Sequence, residues 1–487
     1  MFLNQILNNV KVIQAVNPPE LVEIKNITLD SREVGKNSIF VAVRGFKMDG
    51  HNFIPQAVSK GAAAVVMEYD DPEISMLLQS NKVAKILVSN SRQALAQMSA
   101  ALFKNPSSKI NLIGITGTKG KTTTSYYIKN IFDEAERKSG LIGTNKNIIG
   151  DVESKSSLTT PESYIINDLL NQMVSMECSD CVMEVSSHAL QLSRVDNLEF
   201  NIGIFTNITS DHLDFHSNFD NYLNSKKIFF DILDQDSTIV FNGDDSNSKY
   251  LLSDCMAKQL SYSVRDDSDL TIKNISYNLE GTSFSLDFNN EIYEVQTKLI
   301  GPFNAYNSTA AIGAALCSNL SIEDAIKGIY TTPQVPGRFE VIGKQNKKVI
   351  IDYSHTADSL QKALEAIKHI NSKERHVVTV FGCGGDRDRT KRPVMGRIAE
   401  LASDHVILTS DNPRTEDPFS IIKEIEAGMS SNNYEVIEDR EKAIKTAIEN
   451  SDEDAVILIA GKGHENYQEI NHVRSFFSDK ETAEKYL

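Results

Sequence analysis

Short apolar runs recur along the whole chain, with helical stretches between them. The runs at 38–43, 62–67, 110–115, 181–185, 202–206 and 237–241 are rich in Val, Ile, Ala and Phe and too short for core helices, so they predict buried strands. Further runs at 349–352, 376–381, 405–409 and 455–460 repeat the pattern. They are near-continuously apolar, as expected of strands covered on both faces of a parallel sheet. Helical stretches such as 91–103 separate them, and that alternation predicts an α/β fold throughout. From 181 on, the runs end in polar residues or in Gly-, Asp- or Ser-rich loops, which puts polar groups at the carboxyl ends of the strands, where open α/β sheets bind ligands.

At 487 residues the chain exceeds what one hydrophobic core usually supports. Two stretches rich in turn formers break it: Asn105-Pro-Ser-Ser-Lys109, just before an apolar run, and Thr331-Thr-Pro-Gln-Val-Pro-Gly-Arg338, between a helical stretch and a strand. The expected domains are therefore 1–105, 106–335 and 336–487, the second stretch acting as a hinge or linker. No repeat or low-complexity tract appears.

Hydrophobic content of 40% and charged content of 24% are those of a soluble globular protein. The net charge of −16 argues against a nucleic-acid or acidic-membrane surface, so any phosphate binding must be local. Five cysteines do not make a disulfide framework. Cys178 and Cys181 form a lone CxxC with no second pair at zinc spacing, and packing is its better reading. The first residues lack a basic segment, a long apolar segment and a cleavage site, and no apolar run approaches the length of a membrane span. A cytoplasmic protein without membrane insertion is expected.

The segment Gly114-Ile-Thr-Gly-Thr-Lys-Gly-Lys-Thr-Thr-Thr124 places a Gly-rich turn after an apolar strand and before a helix. In such a turn backbone N–H groups near Gly117 and Gly120 converge on phosphate oxygens, Lys121 reaches the β- and γ-phosphates, and the Thr122 hydroxyl ligates Mg²⁺. Ile115 stands where the generic pattern has Gly, so the loop is a tighter variant. The alternative is an ordinary strand-to-helix turn.

Further along, Glu184 lies inside an apolar strand that ends in Ser186-Ser-His188. A buried carboxylate needs a partner: Mg²⁺ with its preference for hard oxygens, or else a Lys or Arg. The next strand runs into Thr206-Asn-Ile-Thr-Ser-Asp-His-Leu-Asp-Phe-His216, where His212 is a candidate metal ligand. The helix at 222–230 carries Lys226 and Lys227, and periodicity does not separate one from the other.

In order along the chain, Gly117-Thr-Lys-Gly-Lys-Thr-Thr123, Met183-Glu-Val-Ser-Ser-His188, Thr206 to Asp214, Gly301-Pro-Phe-Asn-Ala-Tyr-Asn307, Gly337-Arg-Phe-Glu340 and Asp352-Tyr-Ser-His355 resemble the Mur ligase family. Its members are ATP-dependent amino-acid ligases of peptidoglycan precursor synthesis, and the resemblance spans essentially the whole chain. It implies a central P-loop ATPase-type domain with a mostly parallel sheet, an N-terminal α/β uridine-nucleotide-binding domain and a C-terminal Rossmann-like α/β domain. Gly117, Thr118, Lys119, Gly120, Lys121, Thr122 and Thr123 would bind ATP, the co-substrate, with Asn207 near the nucleotide, Asn304 and Asn307 on the adenine, and Arg338 and Asp352 closing over phosphates and ribose. Thr122, Glu184 and His212 would hold Mg²⁺. A Lys four residues after a Tyr on this helix is carbamoylated in the family, and Tyr222 selects Lys226, which as N6-carboxylysine would be an anionic metal ligand. The catalytic set implied is Lys121, Glu184, His212 and Lys226.

Three further features resemble one branch of the family. Leu29-Asp-Ser-Arg32 implies a uridine contact by Ser31. Thr159, Thr160, Ser186 and Arg194 resemble a binding loop for UDP-MurNAc-L-Ala-D-Glu, although Leu158 stands where some relatives have Asn. Asp411-Asn-Pro-Arg414, including Asn412 and Pro413, resembles the signature of ligases that add meso-diaminopimelate. The physical reason is charge: diaminopimelate carries an extra distal carboxylate that Arg pairs bidentately, and L-lysine has none. Arg387 completes this pocket, with Glu465 and the Gly461 carbonyl receiving the distal ammonium. The expected reaction is ATP-dependent ligation of meso-diaminopimelate through an acyl phosphate, carried out by a monomer. The same reaction with L-lysine, another amide ligase such as a folylpolyglutamate synthase, and a non-catalytic ATP-binding protein are the alternatives.

Overall fold

Three sheets organise the computed structural model, which describes residues 1–487 except 17–21, 47, 210, 212, 266, 344–346 and 372–374 and the side chains of 213 and 214. The first sheet has five strands in the spatial order Val12–Val16, Ala84–Val88, Ala62–Met67, Ser38–Val41 and Asn26–Thr28, antiparallel only at the first pair. The short apolar runs predicted at 38–43 and 62–67 are its middle strands.

The central sheet has eleven strands. Its parallel middle runs Leu270–Asn278, Lys258–Ser263, Thr238–Asn242, Ile202–Phe205, Asn111–Thr116, Asp180–Glu184 and Ser139–Ile142. Antiparallel hairpins extend both edges, Gly281–Phe288 with Glu291–Thr297 on one side and Lys146–Ile149 with Val152–Lys155 on the other. Strand alternation feeds two cores. Leu112 faces a layer containing Leu170 and Phe230, whereas its neighbour Ile113 faces Tyr127, Ile131 and the alanine-rich helix Phe303–Cys317. That double cover explains the continuous apolar character of the strands.

The third sheet has six strands, ordered Glu340–Ile342, Lys348–Asp352, Val456–Ala460, Val377–Phe381, His405–Leu408 and Tyr434–Val436, parallel except for the first. A separate hairpin, Tyr467–Ile470 with Val473–Phe476, stands beside it. The stretch at 105–109 forms one 3₁₀ turn, Pro106–Lys109, and the proline-containing stretch after the helix Ile322–Thr331 leads directly to the third sheet.

The strand ends of the second and third sheets face a common cleft, and contacts cross it. Arg338 reaches Thr122, Lys119 reaches Thr356, and Tyr277 stacks on His369 with ring centroids 4.2 Å apart. The first sheet's unit touches the second through Phe46, whose ring lies 5.3 Å from that of Phe215.

Candidate active site

The phosphate loop leaves the strand Asn111–Thr116 through Gly117 and enters the helix Lys121–Glu134 through Gly120. Both glycines have positive φ, +151° and +90°, and both are pressed from behind. A Cβ on Gly117 would lie 1.9 Å from Thr206 Oγ1, and one on Gly120 would lie 2.4 Å from Asn307 Oδ1, so no side chain fits either position. Asn207 on the adjacent strand end braces the turn: its carbonyl accepts from Thr118 N at 2.8 Å and its Oδ1 from Lys119 N at 3.0 Å. Asn304 and Asn307 are buried beneath it, joined by a hydrogen bond of 3.2 Å. The first N–H groups of the helix have no intrahelical acceptor, as an anion site requires.

Lys121 Nζ folds back to donate to the Gly117 and Thr118 carbonyls, at 2.8 and 3.1 Å. Burial lowers it to about 8, against the opposing pull of Glu184. Thr123 is buried in the first turn behind it.

Glu184, 1% exposed at the end of its strand, forms no ion pair among the described residues. Its oxygens accept instead from Thr122 Oγ1 (2.9 Å), Thr144 N (2.8 Å) and Thr144 Oγ1 (2.9 Å). A carboxylate and two hydroxyls against a phosphate-binding turn are hard oxygen donors that fit Mg²⁺. Arg338 Nη2 donates to the same Thr122 hydroxyl at 3.2 Å. His212 lies outside the described residues.

The helix Phe219–Asp231 separates its two lysines. Lys226 is 1% exposed, and its Nζ donates to the Gly117 carbonyl at 2.9 Å and lies 4.8 Å from the Tyr222 ring centroid. Burial, aided by nearby Lys121, holds its amine well below the usual lysine range. The Tyr222 hydroxyl is 2.9 Å from Thr118 Oγ1, which ties the helix to the loop. Lys227 instead pairs with Asp231 at 2.5 Å and Asp254 at 2.7 Å.

Across the linker lies a cleft of ≈ 1160 Å³ whose wall includes Arg387, Asp411, Asn412, Arg414, Gly461 and Glu465. All six are sequence-predicted; Pro413 is buried just behind, its carbonyl against Gly385. Arg414 Nη1 donates to the Gly385 carbonyl at 2.6 Å. Glu465 accepts from Asn412 Nδ2 at 2.8 Å and Lys462 Nζ at 3.3 Å, and burial raises its carboxyl above the usual range. The cleft thus offers guanidinium and carboxylate groups together, the lining a zwitterion needs.

Asp352 accepts from Phe339 N at 2.7 Å and from the Ser354 hydroxyl, and burial raises its carboxyl. The cleft also presents Tyr353, His355, Lys391, His464, Tyr467 and Arg474, which motif reading did not assign. Tyr353 and His355 lie within Asp352-Tyr-Ser-His355 and His464 stands next to Glu465, so a signal was available for them. Arg474 belongs to no motif and is brought in by the hairpin alone.

Thr159 lines the cleft beside Leu158, and its hydroxyl lies 3.1 Å from that of Thr144. Thr160, Ser186 and Arg194 cluster behind it. Ser186 N donates to Thr160 Oγ1 at 3.0 Å, and Arg194 donates to the Thr160 carbonyl at 3.0 Å and pairs with Glu162 at 2.7 Å. Ser31 is not brought to this cleft; it is buried in the first unit, donating to Gln56 Oε1 at 2.7 Å. Cys178 and Cys181 are free thiols in the central core, as packing predicts. Among the described residues no helix is long and apolar enough to cross a membrane.

Three family models match the chain in succession: the Mur ligase family, catalytic domain, over residues 23–102; the Mur ligase middle domain over 115–315; and the Mur ligase, glutamate ligase domain, over 337–463. The chain is 41% identical to the UDP-N-acetylmuramoyl-L-alanyl-D-glutamate--2,6-diaminopimelate ligase of Alkaliphilus metalliredigens (strain QYMF), covering 98% of this chain and 96% of that protein. It is 41% identical to the enzyme of the same name from Clostridium tetani (strain Massachusetts / E88), covering 96% and 95%. A solved structure of a ligase of that name superposes with a TM-score of 0.70 at 30% identity, covering 100% of this chain and 98% of that one.

Proposed function

Since the chain belongs to the Mur ligase family, we propose that it ligates meso-2,6-diaminopimelate to the D-glutamate γ-carboxylate of UDP-MurNAc-L-Ala-D-Glu, with hydrolysis of ATP to ADP and phosphate. The domains would be 1–105 for the uridine nucleotide, 106–335 for ATP and 336–487 for the amino acid. The work would be done in the cytoplasm, where ATP is available.

The observation that carries the reading is the position of Arg338. Its guanidinium touches Thr122 of the phosphate loop and lies 4.8 Å over the ring of Tyr353, which lines the amino-acid cleft. Phosphate loop and zwitterion pocket therefore share one wall, as a phosphoryl transfer followed by amine attack requires.

A carboxylate is a poor electrophile. The γ-phosphoryl group of ATP passes to an oxygen of the D-glutamate carboxylate, ADP leaves, and the amine of diaminopimelate then attacks the acyl carbon and expels phosphate. Lys121, freed from the Gly117 and Thr118 carbonyls, would pair with the transferring phosphoryl oxygens. Thr122 and Glu184, with His212 and a carbamate on Lys226, would hold Mg²⁺, which supplies charge neutralisation at those oxygens. An uncharged lysine amine is the form that adds CO₂, and burial beside Lys121 shifts Lys226 in that direction. Asn207, Asn304 and Asn307 would position the nucleotide, Asp352 the ribose, and Thr159, Thr160, Ser186, Arg194 and Ser31 the sugar-dipeptide. Glu465 and the Gly461 carbonyl would take the distal ammonium, with Arg387, Asp411, Asn412 and Arg414 around the distal carboxylate.

The test is phosphate release by the purified protein with ATP, Mg²⁺ and UDP-MurNAc-L-Ala-D-Glu, comparing meso-diaminopimelate with L-lysine. Tripeptide formed with diaminopimelate alone supports the reading; turnover with lysine overturns the specificity, and turnover with neither overturns the ligase assignment.

A further inference from the structure

The hairpin Tyr467–Ile470 with Val473–Phe476 pairs with neither neighbouring sheet. A two-stranded ribbon is marginal alone, and here the pocket loop supports it. Arg414 N donates to the Glu469 carbonyl at 3.0 Å, and Asn471 N to the Arg414 carbonyl at 2.7 Å. Glu469 N donates to Asn412 Oδ1, and Gln468 Nε2 to the Asp411 carbonyl, both at 2.9 Å. The turn residues Asn471 and His472 both have positive φ, 49° and 65°, as a tight two-residue hairpin turn requires. Ribbon and pocket loop are thus one unit.

Strand alternation decides what the ribbon shows to the cleft. Tyr467 and Glu469 share a face, cross-strand pairing sets Arg474 opposite Glu469, and all three line the cleft. Arg474 Nε donates to Glu469 Oε2 at 3.0 Å, and its guanidinium carbon lies 4.3 Å over the Tyr467 ring. Among the described residues its two terminal nitrogens have no protein acceptor. The guanidinium is held flat by one bond and one stack, with its bidentate end uncommitted. Arg414, by contrast, has already committed Nη1 to Gly385.

We infer that Arg474 is a further guanidinium for the distal carboxylate of the incoming diamino acid, a specificity-determining residue acting beside Arg387 and Arg414. This rests on the reading of the site proposed above. A purely structural role fits the geometry poorly: the Arg474 side chain is 62% exposed, and an exposed pair contributes little to folding. The ribbon is already secured by four hydrogen bonds to the pocket loop.

The experiment compares the parent protein with Arg474→Gln and Arg474→Lys in steady-state kinetics, with melting temperatures alongside. Arg474→Gln is expected to raise KM for meso-diaminopimelate about tenfold or more. KM for ATP and for the UDP-linked dipeptide, kcat and the melting temperature stay near parental values, and Arg474→Lys recovers part of the loss. An unchanged KM for diaminopimelate, or an equal loss for all three substrates, overturns the inference while leaving the ligase reading intact. No turnover of diaminopimelate by the parent overturns both.

Discussion

Lys226 and Lys227 are adjacent in the chain and opposite in environment. The first is sealed against the Gly117 carbonyl, where burial holds its amine well below the usual lysine range, whereas the second reaches two surface carboxylates. Helical geometry turns consecutive residues about 100° apart, so one can face the phosphate loop only if the other does not. Lys226→Ala should lower ligation about a hundredfold or more, as loss of a charge-stabilising group at a phosphoryl site does. Short carboxylic acids should restore part of it. Lys227→Ala should stay near the parental rate. Intact-protein mass spectrometry in bicarbonate should find the added mass of CO₂ on the parent and not on Lys226→Ala.

Lys121 carries a second consequence. With its amine lowered to about 8 in the free protein, it is partly deprotonated in mildly alkaline buffer, and pairing with phosphate must restore the proton. ATP binding should therefore take up a proton above about pH 8, and affinity should fall as pH rises through that value. Titration calorimetry at pH 8.5 in buffers of different ionisation enthalpy measures the uptake directly. Lys121→Met should abolish it.

Arg440 and Asp479 form an ion pair in which both side chains are fully buried. The same guanidinium donates to the carbonyls of Ser410 and Ala460, which immediately precede Asp411 and Gly461. Asp479→Asn leaves a buried cation with half its partner, a loss worth roughly 3–5 kcal/mol. Chemical denaturation should find that loss in the third domain, and KM for the amino acid should rise while KM for ATP changes little.

His355 and His464 are both held neutral by burial, each lowered to about 3 from 6.5. Between those values the unfolded chain holds more protons than the folded one, so stability is lost as pH falls from 6.5 toward 3. Glu400 and Glu416, each lowered from 4.5 to about 2, add to that loss only once the pH falls below about 4.5. The raised carboxyls of Asp352 and Glu465 act in the opposite direction to the histidines. Melting temperatures between pH 7 and 5 should fall for the parent, and the slope should flatten in a His355→Asn, His464→Gln variant.

Much of this site was legible in the chain because its determinants are local. The phosphate loop needs Gly117 and Gly120 within one turn, and the strands announce themselves by short continuous apolar runs. Glu184 declared itself as a carboxylate inside such a run, and Asp411 to Arg414 as an ordered motif. Tertiary structure decided what local signals leave open. It set the hydroxyls of Thr122 and Thr144 against Glu184, because the Thr144 loop folds over the strand end. It placed Asn307 under Gly120, from a helix far along the chain. It carried Arg474 to the cleft on a ribbon whose residues show no motif, since a period-two alternation fixes a face but not what that face will meet. Local sequence determines which backbone each segment adopts; which distant side chains converge on it depends on how the three sheets pack, and no spacing along the chain encodes that.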